Sequence, residues 1–408
     1  MKKRIIAVYT GNRAEYGLQY PILKAIDAHP DLEYKLIVSG AHLDKNFGET
    51  LDEIKSDGFD IHAEVEIDMK DDGSSDSTAN AIGTGMLSLS EKLLEIKPDI
   101  LVVYADRFEG FSAVITGTQM NIPTAHIEGG DITEGGALDD SVRHAMTKLA
   151  HLHFTTNQQA SNRILGMGEE SWRVHTVGFP AIDLIGEDNY ATAKEIEEKL
   201  NIDTKKPVIL FTQHSVTTEF DLSSDQIKPS LDALCALSES NKYEIIITYP
   251  NNDAGGKKII ETIRNYKLKM KNIGVYPSLG RYLYHGVLAL NLARGKHVVC
   301  VGNSSSGIKE TPAFGCPTVN IGSRQESRLR GENVIDTEYD KEEIIKAIKS
   351  CIEDETFIKK SKNTKNPYGE GNSGKKIADV LSRVTLDKKI LRKKMTLQGL
   401  VNDEGWFS

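Results

Sequence analysis

The chain has 408 residues, a formal net charge of −9, and 39% hydrophobic against 27% charged residues. That length exceeds one ordinary core and predicts two domains, while the acidic balance argues against nucleic acid or an anionic membrane as a general partner. No stretch approaches the roughly 18 apolar residues of a membrane span, and Cys235, Cys300, Cys316 and Cys351 lack CxxC or Cys/His ligand spacing, as expected of buried thiols in a reducing, cytosolic compartment.

The start, MKKRIIAVYTG, has a basic tip but too short an apolar run for a signal-peptide core, and reads as a first strand. Further apolar strands are predicted at 34–40, 99–106, 123–129, 151–156 and 173–178, separated by helical patterns at 15–29, 81–96, 109–119 and 139–150. The pattern loosens into a charged linker over about 181–200 and restarts with strands at 208–214, 243–251, 273–278, 297–303 and 317–322. Fully apolar strands alternating with helices predict parallel sheets covered on both faces. The expected architecture is therefore α/β, two Rossmann-like doubly wound domains facing a central cleft, at 1–180 and 201–372. The segment 373–408 ends in a basic, weakly amphipathic tail, expected to be a solvated or docking helix.

In such sheets ligands collect beyond the carboxyl ends of the strands. Here those ends read GNRAEYG, YADRFEG, HIEGGD, TQHSVTT, YPNNDAGG and GNSSSGIKE, each a polar turn. In GNSSSG (302–307) small residues before a helix suit a phosphate, or equally ordinary Ser/Asn capping. Glu310 just beyond could accept from a sugar diol, and Arg324 after the next strand adds positive charge. Arg13 at the mouth of the first helix is a poor partner for the helix dipole and is expected to serve an anion, with a surface role as the alternative.

Asp106 ends an apolar strand and needs a partner, Arg107 being the obvious neighbour. The stretch HIEGGDITEGGALDDSVRH (126–144) adds Glu128 at a strand end, then Asp139 and Asp140 at a helix start, with Arg143 and His144 one turn on to orient or balance them. Several carboxylates in one site raise some pKa values, which suits proton transfer near neutrality. His151 and His153 lie in an apolar run and read as structural, whereas His214, closing TQH, is expected to contact a ligand or act in acid–base work. Asn251, in YPNNDAGG, is expected to face a nucleotide.

Taken together, GNRAEYG, DRFEG, HIEGGDITEGGALDDSVRHAMTKLAH, TQHSVTT, PNNDAGGK, GNSSSGIKE, GSR and RGENVID resemble the hydrolysing UDP-N-acetylglucosamine 2-epimerases, in that family's order, over roughly 4–337. The resemblance implies the two-domain GT-B arrangement. It also implies elimination of UDP to a 2-acetamidoglucal, and hydration to N-acetylmannosamine, the precursor of sialic acids. Neither metal nor redox cofactor is implied, and the assembly would be a homodimer or homotetramer. Asp106, Glu128 and Asp139 match the family's catalytic carboxylates, and His214 a histidine near the diphosphate. Arg13, Arg107, Asn251, Ser304, Ser305, Glu310 and Arg324 match its nucleotide-binding positions. NRAEYG and DDSVRH stand where non-hydrolysing relatives carry TRPE- and WPEE-type segments. One departure is Tyr104-Ala105, where many relatives have His-Gly. It leaves open a 2,4-diacetamido-2,4,6-trideoxy sugar, of the legionaminic acid route, as substrate. A glycosyltransferase of the same fold is the reading from another class.

Overall fold

The computed structural model describes residues 2–43, 50–67, 76–133, 138–187, 189–251, 254–270, 273–293, 295 and 297–396, the side chains of Arg13, Ala14, Thr50 and Thr217 excepted. It divides into two compact units: Met1–Asp131 with Leu138–Asp183 and Gly371–Ser408, and Ile132–Ala137 with Leu184–Glu370.

The first unit is built on strands β1 (Arg4–Thr10), β2 (Leu32–Ser39), β3 (Ile61–Val65), β4 (Ile100–Tyr104), β5 (Thr124–Ile127), β6 (Leu152–Thr155) and β7 (Val174–Thr176). Between them run helices α1 (Arg13–Asp27), α2 (Thr50–Ser56), α3 (Ser77–Ile96), α4 (Phe108–Gln119), α5 (Leu138–Leu149) and α6 (Gln158–Gly166). All seven strands are parallel, in the order β3-β2-β1-β4-β5-β6-β7. Alternate residues of β1 feed opposite cores. Ile6 and Val8 pack with α1, while Ala7 and Tyr9 pack towards Leu89, Val114 and Met146. Burial on both faces explains why the strand reads as apolar throughout.

The stretch expected as a linker holds helices α7 (Ala181–Ile185), within which the division between the units falls, and α8 (Ala193–Leu200) of the second unit. Thr192 and Glu195 form a reciprocal capping box at the start of α8. The strands are β8 (Val208–Thr212), β9 (Glu244–Thr248), β10 (Ile273–Tyr276), β11 (Val298–Gly302), β12 (Thr318–Ile321) and β13 (Val334–Thr337). Helices α9 (Ser223–Ser238), α10 (Gly256–Lys267), α11 (Gly280–Ala289), α12 (Ser306–Lys309), α13 (Lys341–Glu353) and α14 (Glu355–Lys362) cover them. This sheet is also parallel, in the order β10-β9-β8-β11-β12-β13. In each sheet the order reverses beside its first strand, between β1 and β4 and between β8 and β11. Those are the crevices where doubly wound sheets receive ligands.

The sequence pattern does not mark β3 and β13. Both are edge strands, and their half-buried residues, IHAEV and VIDT, never form an apolar run.

The C-terminal segment packs into the first unit. Helix α15 (Ser373–Arg383) lies along α1, its Ile377, Ala378 and Leu381 sharing one core with Ile22 and Ile26. The Asp183 carboxylate accepts the N–H groups of Ser373 and Gly374 at 2.8 and 2.7 Å, satisfying two of the donors that open α15. Beyond it lies the short helix α16 (Lys388–Leu391), held by Arg173, one of the largest fully buried side chains. Its guanidinium donates to the carbonyls of His151, Ile390 and Lys389 at 3.1, 2.7 and 2.9 Å and pairs with Glu170. The Arg173 and Lys389 cations both lie over the Trp172 ring. Lys393 then donates to the carbonyls of Thr147, Lys148 and Ala150 at the end of α5 and to the Glu169 carboxylate.

Removing Arg173 leaves several buried carbonyls and a carboxylate without their donor. Arg173→Met is expected to lose about 3 kcal/mol in urea unfolding and to open 384–396 to limited proteolysis. An unchanged midpoint and digestion pattern would show that the clamp does not hold the tail.

Candidate active site

The acids of the first unit are collected by two left-handed turns. After Tyr104 and after Ile127, which pair across β4 and β5, the chain turns through Ala105 (φ 53°) and Glu128 (φ 63°). Neither residue is glycine, so each turn is held against a steric penalty of order 1 kcal/mol. Hydrogen bonds hold them: the Ala105 N–H donates to the Ile127 carbonyl at 3.0 Å and the Glu128 N–H to the Phe154 carbonyl at 2.9 Å. The His126 ring approaches the Ala105 carbonyl at 2.6 Å through Nε2, which must carry the proton because a carbonyl only accepts. Burial pulls His126 down to about 3, so this donor stays neutral.

Asp106 follows the first turn. Its partner is not Arg107 but Arg143, from the first turns of α5. Arg143, 3% exposed, also donates to Asp140 at 2.7 Å and to the Asp131 carbonyl at 3.0 Å. Residues 131, 140 and 143 are thereby tied to the end of β4 by one buried cation. Asp140 and Arg143 stand at i,i+3 on one helix face, and so Asp140 is buried while its neighbour Asp139 is exposed. His144 lies beside the cations Arg143 and Arg163, and burial followed by their charge lowers its pKa. Glu134, Gly135 and Gly136 of the expected loop lie outside the described residues.

Arg107 turns instead to Glu109, which takes Nε and Nη2 at 3.2 and 3.3 Å. Burial opposes its charge, but Glu109, then Glu15 and Asp139, keep the guanidinium cationic. The charge of Asp139 thus reaches Arg107. Glu128 is buried beside the Tyr104 phenol; burial first and then the Glu128 carboxylate hold that phenol well above its ordinary value. Arg13 is the first residue of α1, and its side chain lies outside the described atoms.

In the second unit Asn303 organises the crevice between β8 and β11. Its side chain clasps His214 from both ends, accepting the backbone N–H at 2.6 Å and donating to the carbonyl at 2.9 Å. Its own carbonyl receives Arg324 at 3.2 Å and Gln325 at 2.9 Å. Gly302 makes the approach possible: it sits at φ 123°, and a Cβ there would run into the Thr212 carbonyl. The Asn251 N–H donates to His214 Nδ1 at 3.1 Å, which leaves the ring proton on Nε2. Burial and then the Arg324 charge lower His214 to about 3. A ring so strongly neutral is a hydrogen-bond donor at Nε2 and not a proton carrier near pH 7. His214, Asn251 and Arg324 thus converge.

Ser304 and Ser305 precede α12, which is a single turn, and little macrodipole can build over four residues. Glu310 at its end already accepts His285 Nε2 at 2.6 Å. Asn252 and Asp253 lie outside the described residues. His151 and His153 have structural partners, the Thr124 N–H and Glu169.

Sequence reasoning did not single out Glu15, Glu109 or Asn303. Both glutamates sit in the first turn of a helix, where an acid reads as a dipole partner, and Asn303 reads as a cap.

A family model described as UDP-N-acetylglucosamine 2-epimerase matches residues 24–382. The chain is 33% identical over 393 residues to a UDP-N,N'-diacetylbacillosamine 2-epimerase (hydrolyzing) of Legionella pneumophila, covering 96% of this chain and 99% of the relative. It is 33% identical over 349 residues to a UDP-N-acetylglucosamine 2-epimerase of Neisseria meningitidis serogroup B, covering 86% and 87%. The fold is similar to that of a crystal structure of a Neisseria meningitidis UDP-GlcNAc 2-epimerase bound to UDP-GlcNAc, with a TM-score of 0.79 at 20% identity over 93% of this chain and 100% of that one. With its two parallel-sheet α/β units and a family match across most of its length, the chain belongs to the UDP-N-acetylglucosamine 2-epimerase family and is a UDP-sugar 2-epimerase.

Proposed function

We propose that the protein is a hydrolysing 2-epimerase that converts UDP-N-acetylglucosamine and water to N-acetylmannosamine and UDP. The observation that carries the reading is the set of acids at the ends of β4 and β5: Asp106, fixed with Asp140 by the buried Arg143, and the buried Glu128 beside Tyr104. Its similarity to a relative named as hydrolyzing supports the branch, as do NRAEYG and DDSVRH in this chain.

In the proposed reaction a carboxylate takes the proton from carbon 2 as the bond between carbon 1 and the UDP oxygen breaks, leaving a 2-acetamidoglucal. Water then adds at carbon 1, and carbon 2 is reprotonated on the opposite face. Glu128 is our candidate for the carbon-bound proton: it is buried at the end of β5, and Tyr104 sits beside it. Asp106 and Asp139 serve the leaving oxygen and the incoming water. In the first unit Arg13 and Arg107, and in the second Arg324, the neutral His214 Nε2–H, Asn251, Ser304 and Ser305, are the candidates to receive the nucleotide's negative charge. Donors fixed in advance stabilise its growing charge. Glu310 has one carboxylate oxygen free of His285 for the ribose diol.

A second substrate is favoured by a specific observation. Tyr104 stands where many family members have histidine, and the Legionella relative is named for a diacetylbacillosamine nucleotide. A UDP-linked 2,4-diacetamido-2,4,6-trideoxy sugar is the alternative in the same chemistry.

Phosphorus NMR and mass spectrometry of a reaction on UDP-N-acetylglucosamine are expected to show free UDP with a free 2-epimeric sugar. UDP-N-acetylmannosamine without free UDP would place the protein among non-hydrolysing epimerases, and turnover of the diacetamido nucleotide alone would select the second substrate. Glu128→Gln is expected to lower kcat by at least about 100-fold while UDP still binds. A higher KM with kcat intact would remove Glu128 from the chemistry.

A further inference from the structure

The crevice between β1 and β4 contains two buried carboxyl groups that the reaction above does not use. Glu15 is 5% exposed and Glu109 2% exposed. They meet at Gly11: Glu15 Oε2 accepts the Gly11 N–H at 3.0 Å, and a Cβ on Gly11 would stand 2.8 Å from Glu109 Cβ. Both Glu109 oxygens face Arg107, whereas the buried Glu15 Oε1 has no hydrogen-bond partner among the described residues. Among the described side chains these two carboxylates face one guanidinium, Arg107, on which Asp139 also acts, so with both ionised the cluster is net negative. It lies in the turn where, on the nucleotide-sugar reading, a diphosphate must be received.

We propose that Glu15 is a proton-holding positioning residue. Protonated, it leaves Glu109 and Arg107 as a neutral pair and lets the Gly11 turn accept an anion; ionised, it repels one. Burial and then the Glu109 charge push Glu15 up to about 8, against the Gly11 hydrogen bond. The other groups around it do not change charge there. Tyr9 of β1 and Tyr104 of β4 are held above their ordinary range by burial, His42 after β2 is lowered by burial to about 4, and Arg107 remains cationic. The sign follows: anion affinity is fully present below pH 8 and is lost as pH rises through it.

The inference rests on the nucleotide-sugar reading, and the test separates the two. UDP binding to the full chain is measured by calorimetry from pH 7 to 9, between the last ionisation of the diphosphate and that of the uracil ring, with Glu15→Gln as the variant that mimics the protonated acid. The parent is expected to lose affinity by up to tenfold per pH unit above pH 8 and to take up most of one proton, but not a whole one, per UDP bound at pH 8.5. Glu15→Gln is expected to bind at pH 9 as the parent does at pH 7. A flat parent profile, or the same fall and the same proton uptake in Glu15→Gln, would overturn the proposal and leave the function standing. Absence of UDP binding at pH 7 would overturn the function itself. Should Glu15→Gln not fold, the parent's proton uptake, present or absent, decides alone.

Discussion

The first unit's chemistry depends on one buried guanidinium. Arg143 is almost wholly removed from water, and that position is tolerable only because carboxylates and a carbonyl surround it. The same requirement fixes the acids. Asp106 at a strand end and Asp140 on a helix are far apart in sequence, yet neither can move without stranding the cation. The left-handed Ala105 and Glu128 carry strain that the surrounding hydrogen bonds absorb, and the neutral His126 secures one of the two turns. Lys393 closes the far end of α5 by taking its last carbonyls, so the helix that carries Asp139, Asp140 and Arg143 is held at both ends. The C-terminal segment is thus part of the scaffold that carries the acids.

The second unit solves a different problem with neutral groups. Asn303 reads both backbone groups of His214 and also organises Arg324, so one amide sets the position of a donor and of a cation. Because Asn251 occupies Nδ1, the imidazole can present only Nε2–H. On the proposed reading this arrangement would meet an anion with a neutral ring donor, whereas the first unit concentrates carboxylates.

The two doubly wound sheets are legible in the sequence because their central strands are buried on both faces and read as apolar runs, with polar turns at the carboxyl ends. The edge strands β3 and β13 are not, since half-burial erases the run. The site is legible in the same uneven way. Asp106 and Glu128 stand out because an acid at the end of an apolar strand has no local explanation. Their partner was misread: adjacency suggested Arg107 for Asp106, but a turn separates the directions of neighbouring side chains, and a helix residue 37 positions on supplies the charge. Glu15 and Glu109 remained hidden behind an ordinary role, the acid in a first helical turn. Only burial and the Gly11 contact distinguish them.

The proposed account turns on whether the acids move a proton on carbon 2. The most direct measurement is turnover of the nucleotide sugar in heavy water, with proton NMR of the released product. The account predicts one deuterium at carbon 2 in every product molecule, because the hydrogen lost in elimination is replaced from solvent. Product that retains its original hydrogen at carbon 2 would contradict it and leave a hydrolase or glycosyl transfer that never touches that carbon.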